Sequence, residues 1–134
     1  MASKILMVED DKSLTAAIQT EFEAEGFEFD SIETTAKALE RTQAIHPDLV
    51  LLDLMLPDGD GLTFLGKIKA DPKLKDIPVV VLTNFGDEES VKKALEGGAE
   101  DFLLKYKVVP TEVVEKVKGI VGRSESAGVP VTSE

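Results

Sequence analysis

Four short apolar runs that do not alternate with polar residues constrain this chain most: residues 5–8, 49–52, 79–82 and 102–104. Each is too short for a helix and lacks the period of two expected of a strand with one wet face. Each therefore predicts a strand buried on both sides. A weaker stretch, residues 27–32, predicts a strand nearer a sheet edge. The intervening segments carry helical spacing: Leu14, Ala17, Ile18 and Phe22 share one stripe, and Leu62, Leu65 and Ile68 a second. Val91, Ala94 and Leu95 form a third, and Val113, Val114, Val117, Ile120 and Val121 a fourth. Residues 35–45 are helical by position, with the poorest stripe and Leu39 as its best anchor. Strand and helix thus alternate five times, which requires a parallel sheet covered by helices on both faces and joined by right-handed crossovers.

At 134 residues the chain fits one domain with its own core. With 43% apolar residues it is of ordinary globular composition. It has no cysteine, which excludes a disulfide scaffold or a thiolate metal site and suits a reducing compartment. The start of the chain has no long apolar run, so neither a signal peptide nor a membrane span is expected, and cytoplasmic is the default location. The formal charge of −11 disfavours direct contact with nucleic acid or anionic lipid, although solubility alone would account for it. Residues 123–134 are small, polar and Pro/Gly-containing, and are expected to be a flexible tail or linker after a domain at 1–122.

In an open parallel sheet, ligands bind beyond the carboxyl ends of the strands. There the first run leads into Glu9-Asp10-Asp11, the third strand into Asp53, the fourth into Thr83 and the fifth into Lys105. Carboxylates gathered at one edge either raise a pKa or recruit a cation. Hard oxygen donors at an open site suit Mg²⁺, which takes one or two carboxylates and keeps positions free for a phosphate oxygen. A carboxylate can also be the nucleophile toward phosphorus. Lys105 and Thr83 would then bind the phosphoryl oxygens while the metal offsets charge. Taken singly, Asp53 is a turn former or cap, Asp11 a helix cap, Thr83 a cap, Lys105 a solvated strand end and Phe102 a core aromatic. Their coincidence at one edge favours phosphoryl chemistry. His46, a lone loop histidine, is assigned none.

The same residues carry a family resemblance. Lys4-Ile5-Leu6-Met7-Val8-Glu9-Asp10-Asp11 resembles the opening strand and acidic pocket of response-regulator receiver domains. Asp53-Leu54-Met55-Leu56-Pro57-Asp58-Gly59-Asp60-Gly61 resembles their phosphoacceptor segment. Val79-Val80-Val81-Leu82-Thr83 and Asp101-Phe102-Leu103-Leu104-Lys105 are similar to their fourth and fifth strands. The likeness runs over residues 4–122 and resembles a single-domain, chemotaxis-type receiver. It implies a flavodoxin-like, doubly wound (βα)5 fold with strand order 2-1-3-4-5. It further implies Asp53 as phosphoacceptor, Asp10 as a direct Mg²⁺ ligand, Glu9 as a ligand through water and Met55 as a backbone-carbonyl ligand. Thr83 and Phe102 would be the switch residues, and Lys105 the partner of the phosphoryl oxygens.

The implied partners are a histidine kinase or histidine phosphotransfer protein, and a downstream protein that docks on the fourth-helix, fifth-strand and fifth-helix face at residues 88–121. The chain would be a monomer or weak homodimer, and no enzyme beyond its own phosphorylation and dephosphorylation. No output domain is evident after Gly122, so the chain would act by docking onto other proteins; a receiver cut from a longer protein at the 123–134 linker is also compatible with the sequence. Tyr106 departs from the family by following Lys105 where a cis proline is usual. A non-proline cis bond costs roughly 2.5–4 kcal/mol, so a trans bond and a shifted loop are expected. Phe85, beside the pocket, is expected to hinder water and slow phosphoryl loss.

Other classes fit less well. A receiver that docks without phosphorylation would not need the acidic pocket, Thr83 and Lys105. A Mg²⁺-dependent aspartyl phosphatase would carry a second Asp where Met55 stands. A flavin-binding protein would not follow its first strand with three carboxylates, which repel phosphate.

Overall fold

The apolar runs are continuous because alternate residues of each strand serve two separate cores. The computed structural model describes residues 3–84, 88–105, 107 and 109–127. Its main elements are β1 (Lys4–Val8), α1 (Lys12–Ala24), β2 (Glu28–Ile32), α2 (Thr35–Ile45), β3 (Leu49–Asp53), α3 (Gly61–Ala70), β4 (Val79–Thr83), α4 (Glu88–Glu96), β5 (Asp101–Leu104) and α5 (Pro110–Ala127). The five strands form one all-parallel sheet in the order 2-1-3-4-5. A short antiparallel ribbon, Met55–Leu56 against Gly59–Asp60, lies between β3 and α3.

Leu6, Val8, Val50, Leu52, Val79 and Val81 pack under α2, α3 and α4 with Ala38, Phe64, Leu65, Ile68 and Ala94. Their neighbours Ile5, Met7, Leu49, Leu51, Val80, Leu82 and Leu103 pack under α1 and α5 with Ile18, Phe22, Val113, Val117 and Ile120. Strands β1, β3 and β4 are buried almost throughout, whereas β2 and β5 are partly exposed, as sheet edges must be. Phe22 meets Phe27 edge-on at 5.1 Å and stacks on Phe29 at 5.8 Å, which seats the end of α1 on the β2 edge.

Several details differ from the sequence expectation. In α1 the buried stripe is Thr15, Ile18 and Phe22, and Ala17 faces solvent, because the helix is rotated so that positions i, i+3 and i+7 meet the sheet. In α2 the buried residues are Ala38 and Thr42, with Leu39 only partly covered. Thr42 tolerates burial because its hydroxyl donates to the Ala38 carbonyl one turn back, at 2.7 Å. In α4 only Ala94 is buried, and Leu95 is exposed. Helix α5 continues to Ala127, through residues read from sequence as the start of a tail. Residues 123–127 contain neither Gly nor Pro, so nothing local stops the helix there. Among the described residues, no helix is long and apolar enough to cross a membrane.

Candidate functional site

Residues from four of the five strand ends build the site. Glu9 follows β1, and its N–H donates to the Ile32 carbonyl of β2 at 3.0 Å, so the chain is still held to the sheet where the carboxylates begin. The Asp11 N–H donates to Glu9 Oε2 at 2.9 Å, while Asp11 itself caps α1 by accepting the Leu14 N–H at 3.0 Å. Asp11 is therefore the capping residue, and Glu9 and Asp10 remain for the site. One carboxylate oxygen from each of Glu9, Asp10 and Asp53 lies within 4.8 Å of the others. Glu9 and Asp53 are buried, and Asp10 is exposed.

Lys105 enters from beyond β5. Its N–H donates to the Thr83 carbonyl at 2.8 Å, which fixes the backbone against the end of β4. Its ammonium lies 3.1 Å from Glu9 Oε1 and 3.2 Å from Asp53 Oδ2, bridging two strand ends at a buried position. Asp53 Oδ1 accepts the Met55 N–H at 3.0 Å, so both oxygens of this carboxylate are oriented. The Met55 side chain is 67% exposed, and only its backbone faces the site's chemistry. Thr83 is buried at the neighbouring strand end, and its hydroxyl makes a long contact of 3.4 Å to the Asn84 carbonyl.

Phe102 is not a core aromatic: it is 38% exposed on the edge strand β5. Strand alternation sends Leu103 to the α1/α5 core and Phe102 to the opposite face, opposite Val81, where α4 buries only Ala94. Phe85 and Tyr106, on which the expectations of slow phosphoryl loss and a shifted loop rest, lie outside the described residues.

Electrostatics follow from this packing. Burial, reinforced by the charge of Asp53, pushes Glu9 up to about 7 despite the Asp11 N–H and Lys105. Burial also disfavours the Lys105 ammonium, but the charges of Asp53 and Glu9 outweigh it and hold its pKa above the usual lysine value. Glu9 Oε1 is buried without an aligned hydrogen bond although the ammonium is close. Three hard carboxylates with one under-satisfied oxygen fit a small divalent cation such as Mg²⁺.

Two residues of the site were not singled out from sequence. Gly61 opens α3 directly against the phosphoacceptor segment: a Cβ there would lie 2.6 Å from the Asp53 carbonyl oxygen and 2.8 Å from Leu54 Cα. Asp58, at the tip of the ribbon, binds the start of α2. The Asp58 pairing has no signal in the sequence, because it joins segments that only the fold brings together, whereas Gly61 closes the phosphoacceptor segment read from the sequence.

The model of the response regulator receiver domain family matches residues 5–118. The chain belongs to this family. It is 38% identical over 123 residues to the phosphate regulon transcriptional regulatory protein PhoB of Klebsiella pneumoniae, covering 92% of this chain and 53% of that protein. It is 37% identical over 126 residues to the DNA-binding response regulator MtrA of Mycolicibacterium smegmatis, covering 93% of this chain and 53% of that protein. The chain thus spans about half the length of these curated relatives. The crystal structure of a putative response regulator from Chloroflexus aurantiacus superposes with a TM-score of 0.85 at 28% identity, covering 91% of this receiver and 99% of that chain. Receiver domains are signalling phosphoacceptors of two-component systems and are not generally classed as enzymes. They bind Mg²⁺ at an acidic pocket, and this receiver has the acidic group Glu9, Asp10 and Asp53.

Proposed function

We propose that Asp53 accepts a phosphoryl group from a phosphohistidine of a histidine kinase or phosphotransfer protein, in a Mg²⁺-dependent reaction in the cytoplasm. The observation that carries this reading is the convergence of Lys105 on Glu9 and Asp53, within 3.2 Å of each, beside a third carboxylate. The Met55 N–H holds one Asp53 oxygen, which orients the carboxylate for attack. A carboxylate oxygen forms a bond to phosphorus as the phosphorus–nitrogen bond of the donor breaks, and the imidazole leaves with the electron pair. Lys105 neutralises Asp53 beforehand and follows the new charge onto the phosphoryl oxygens. Glu9, Asp10, Asp53 and the Met55 carbonyl would hold Mg²⁺, which when bound offsets charge on those oxygens.

Thr83 then turns its hydroxyl toward the phosphoryl group, and Phe102 moves inward into the space behind it. This alters the face formed by α4, β5 and α5, where a downstream protein docks, and the receiver acts as a monomer or weak homodimer. The switch is a two-state element biased by a local charge. The test is intact mass after incubation with acetyl phosphate. One phosphoryl adduct that requires Mg²⁺ and is lost in Asp53→Ala supports the reading. No adduct, with Mg²⁺ bound, refutes it in favour of docking without phosphorylation.

A further inference from the structure

We infer that Asp58 is a positioning residue, which holds the phosphoacceptor loop at its working height by capping α2 from across the fold. The ribbon of Met55–Leu56 and Gly59–Asp60 is pinned at both of its ends. At one, the Met55 N–H binds Asp53 Oδ1; at the other, Asp60 caps α3 by accepting the Leu62 N–H at 2.8 Å. Asp58 at the ribbon's tip, with Gly59, lines a cleft of about 310 Å³ between α2 and α3, bordered by Leu39, Thr63, Phe64 and Lys67. The Asp58 carboxylate spans from this tip to the start of α2. Its Oδ1 accepts the Thr35 N–H at 2.9 Å, and its Oδ2 accepts the Thr35 hydroxyl at 3.0 Å and the Ala36 N–H at 2.9 Å.

These bonds do for α2 what a local cap does elsewhere. The residue in the N-cap position, Thr34, receives the Lys37 N–H at a long 3.4 Å. The first two N–H groups of the helix are bound instead by a side chain 22 and 23 positions downstream. The same N–H groups hold the Asp58 carboxyl below the usual carboxylate range. One contact therefore ties a helix end to the ribbon that begins at Met55, whose carbonyl is the Mg²⁺ ligand of the reading above. Released, the tip is free to sink into the cleft and take that carbonyl out of register with the carboxylates.

The inference rests on the Mg²⁺ reading above, and its test separates the two. Mg²⁺ is titrated into the intact chain and followed by amide NMR shifts of the site. Asp58→Ala is expected to raise the dissociation constant several-fold, less than the roughly tenfold or more that follows loss of a direct partner of a metal ligand, since Asp58 acts on Met55 only through the ribbon. Asp58→Asn, which keeps one acceptor oxygen, falls between. Thr34→Ala loosens the same helix end without touching the ribbon, and is expected to bind Mg²⁺ like wild type. At saturating Mg²⁺, the adduct-forming rate of Asp58→Ala should return to that of wild type. Wild-type affinity in Asp58→Ala, or an equal loss in Thr34→Ala, overturns the inference. A wild-type chain that binds no Mg²⁺ refutes the metal reading and the inference with it.

Discussion

Two glycines in one helix should respond to the same substitution with opposite signs. Gly61 and Gly66 both lie in α3 and neither has a positive φ, so Ala at either position gains helix propensity. In an open helix interior that gain is roughly 0.5–1 kcal/mol. A Cβ at Gly66 meets no atom within 4 Å, so Gly66→Ala should stabilise by about that amount. At Gly61 the same Cβ would sit 2.6 Å from the Asp53 carbonyl oxygen and 2.8 Å from Leu54 Cα, closer than real contacts permit. Both neighbours are backbone, and neither can yield cheaply. The Gly61 N–H donates to the Leu54 carbonyl at 2.9 Å, and the Leu54 N–H donates to the Leu82 carbonyl at 3.3 Å, tying the segment into the sheet. Overpacking of this kind costs about 1–3 kcal/mol, which exceeds the propensity gain. Net of that gain, taken at the middle of both ranges, Gly61→Ala should lower Tm by about 5 °C. Thermal unfolding followed by far-UV circular dichroism measures both variants, with Mg²⁺ affinity as a second readout, since the displaced backbone is that of Asp53. A Gly61→Ala variant as stable as wild type would show that the approach of α3 to Asp53 is not tight, and would refute the reasoning.

The remaining expectations concern the charges. Glu9 has a pKa raised from 4.5 to about 7 by burial, so the folded state binds more protons than the unfolded state across that window. Stability in chelator should consequently fall as pH rises from about 4.5 to about 7 through this group, and Glu9→Gln should flatten the slope and be more stable than wild type at pH 8. Lys105→Met should destabilise by about 3 kcal/mol at pH 8, because it leaves Glu9 and Asp53 facing each other without the ammonium now 3.1 and 3.2 Å away. That loss should shrink toward pH 5 as Glu9 takes up its proton; equal losses at both pH values would count against the ion pair. Asp11→Ala removes the cap on the Leu14 N–H and should cost about 1 kcal/mol, with little change in Mg²⁺ affinity measured by the same NMR titration. A large fall in affinity would mean that Asp11, and not only Glu9 and Asp10, belongs to the metal site.

Much of this receiver was legible before any coordinate. Non-alternating runs such as 79–82 have a single physical solution in a chain of this size: a strand buried on both faces. The alternation of runs and stripes then leaves a parallel sheet, whose carboxyl edge collects the polar residues that end each run. That is why Glu9, Asp10, Asp53, Thr83 and Lys105 could be grouped from their positions alone. Rotation of each helix was less legible. In α1 the polar Thr15 is buried while Ala17 is not, because alanine and threonine are small enough to sit on either side of a helix, and only the packing partner decides. Phe102, which taken singly reads as a core aromatic, is part-exposed, because hydrophobicity cannot say that its strand is an edge with one short helix above it.

What the sequence determined by itself was the order of elements and the chemistry delivered to one edge, since both follow from local periodicity and from which residue ends each strand. What only the tertiary structure decided were contacts between segments far apart in the chain. The Lys105 ammonium meets Glu9 across 96 positions, and Asp58 caps a helix more than 20 positions upstream. Such contacts depend on distances of a few ångströms, set by how the helices settle on a twisted sheet, and no residue spacing encodes them.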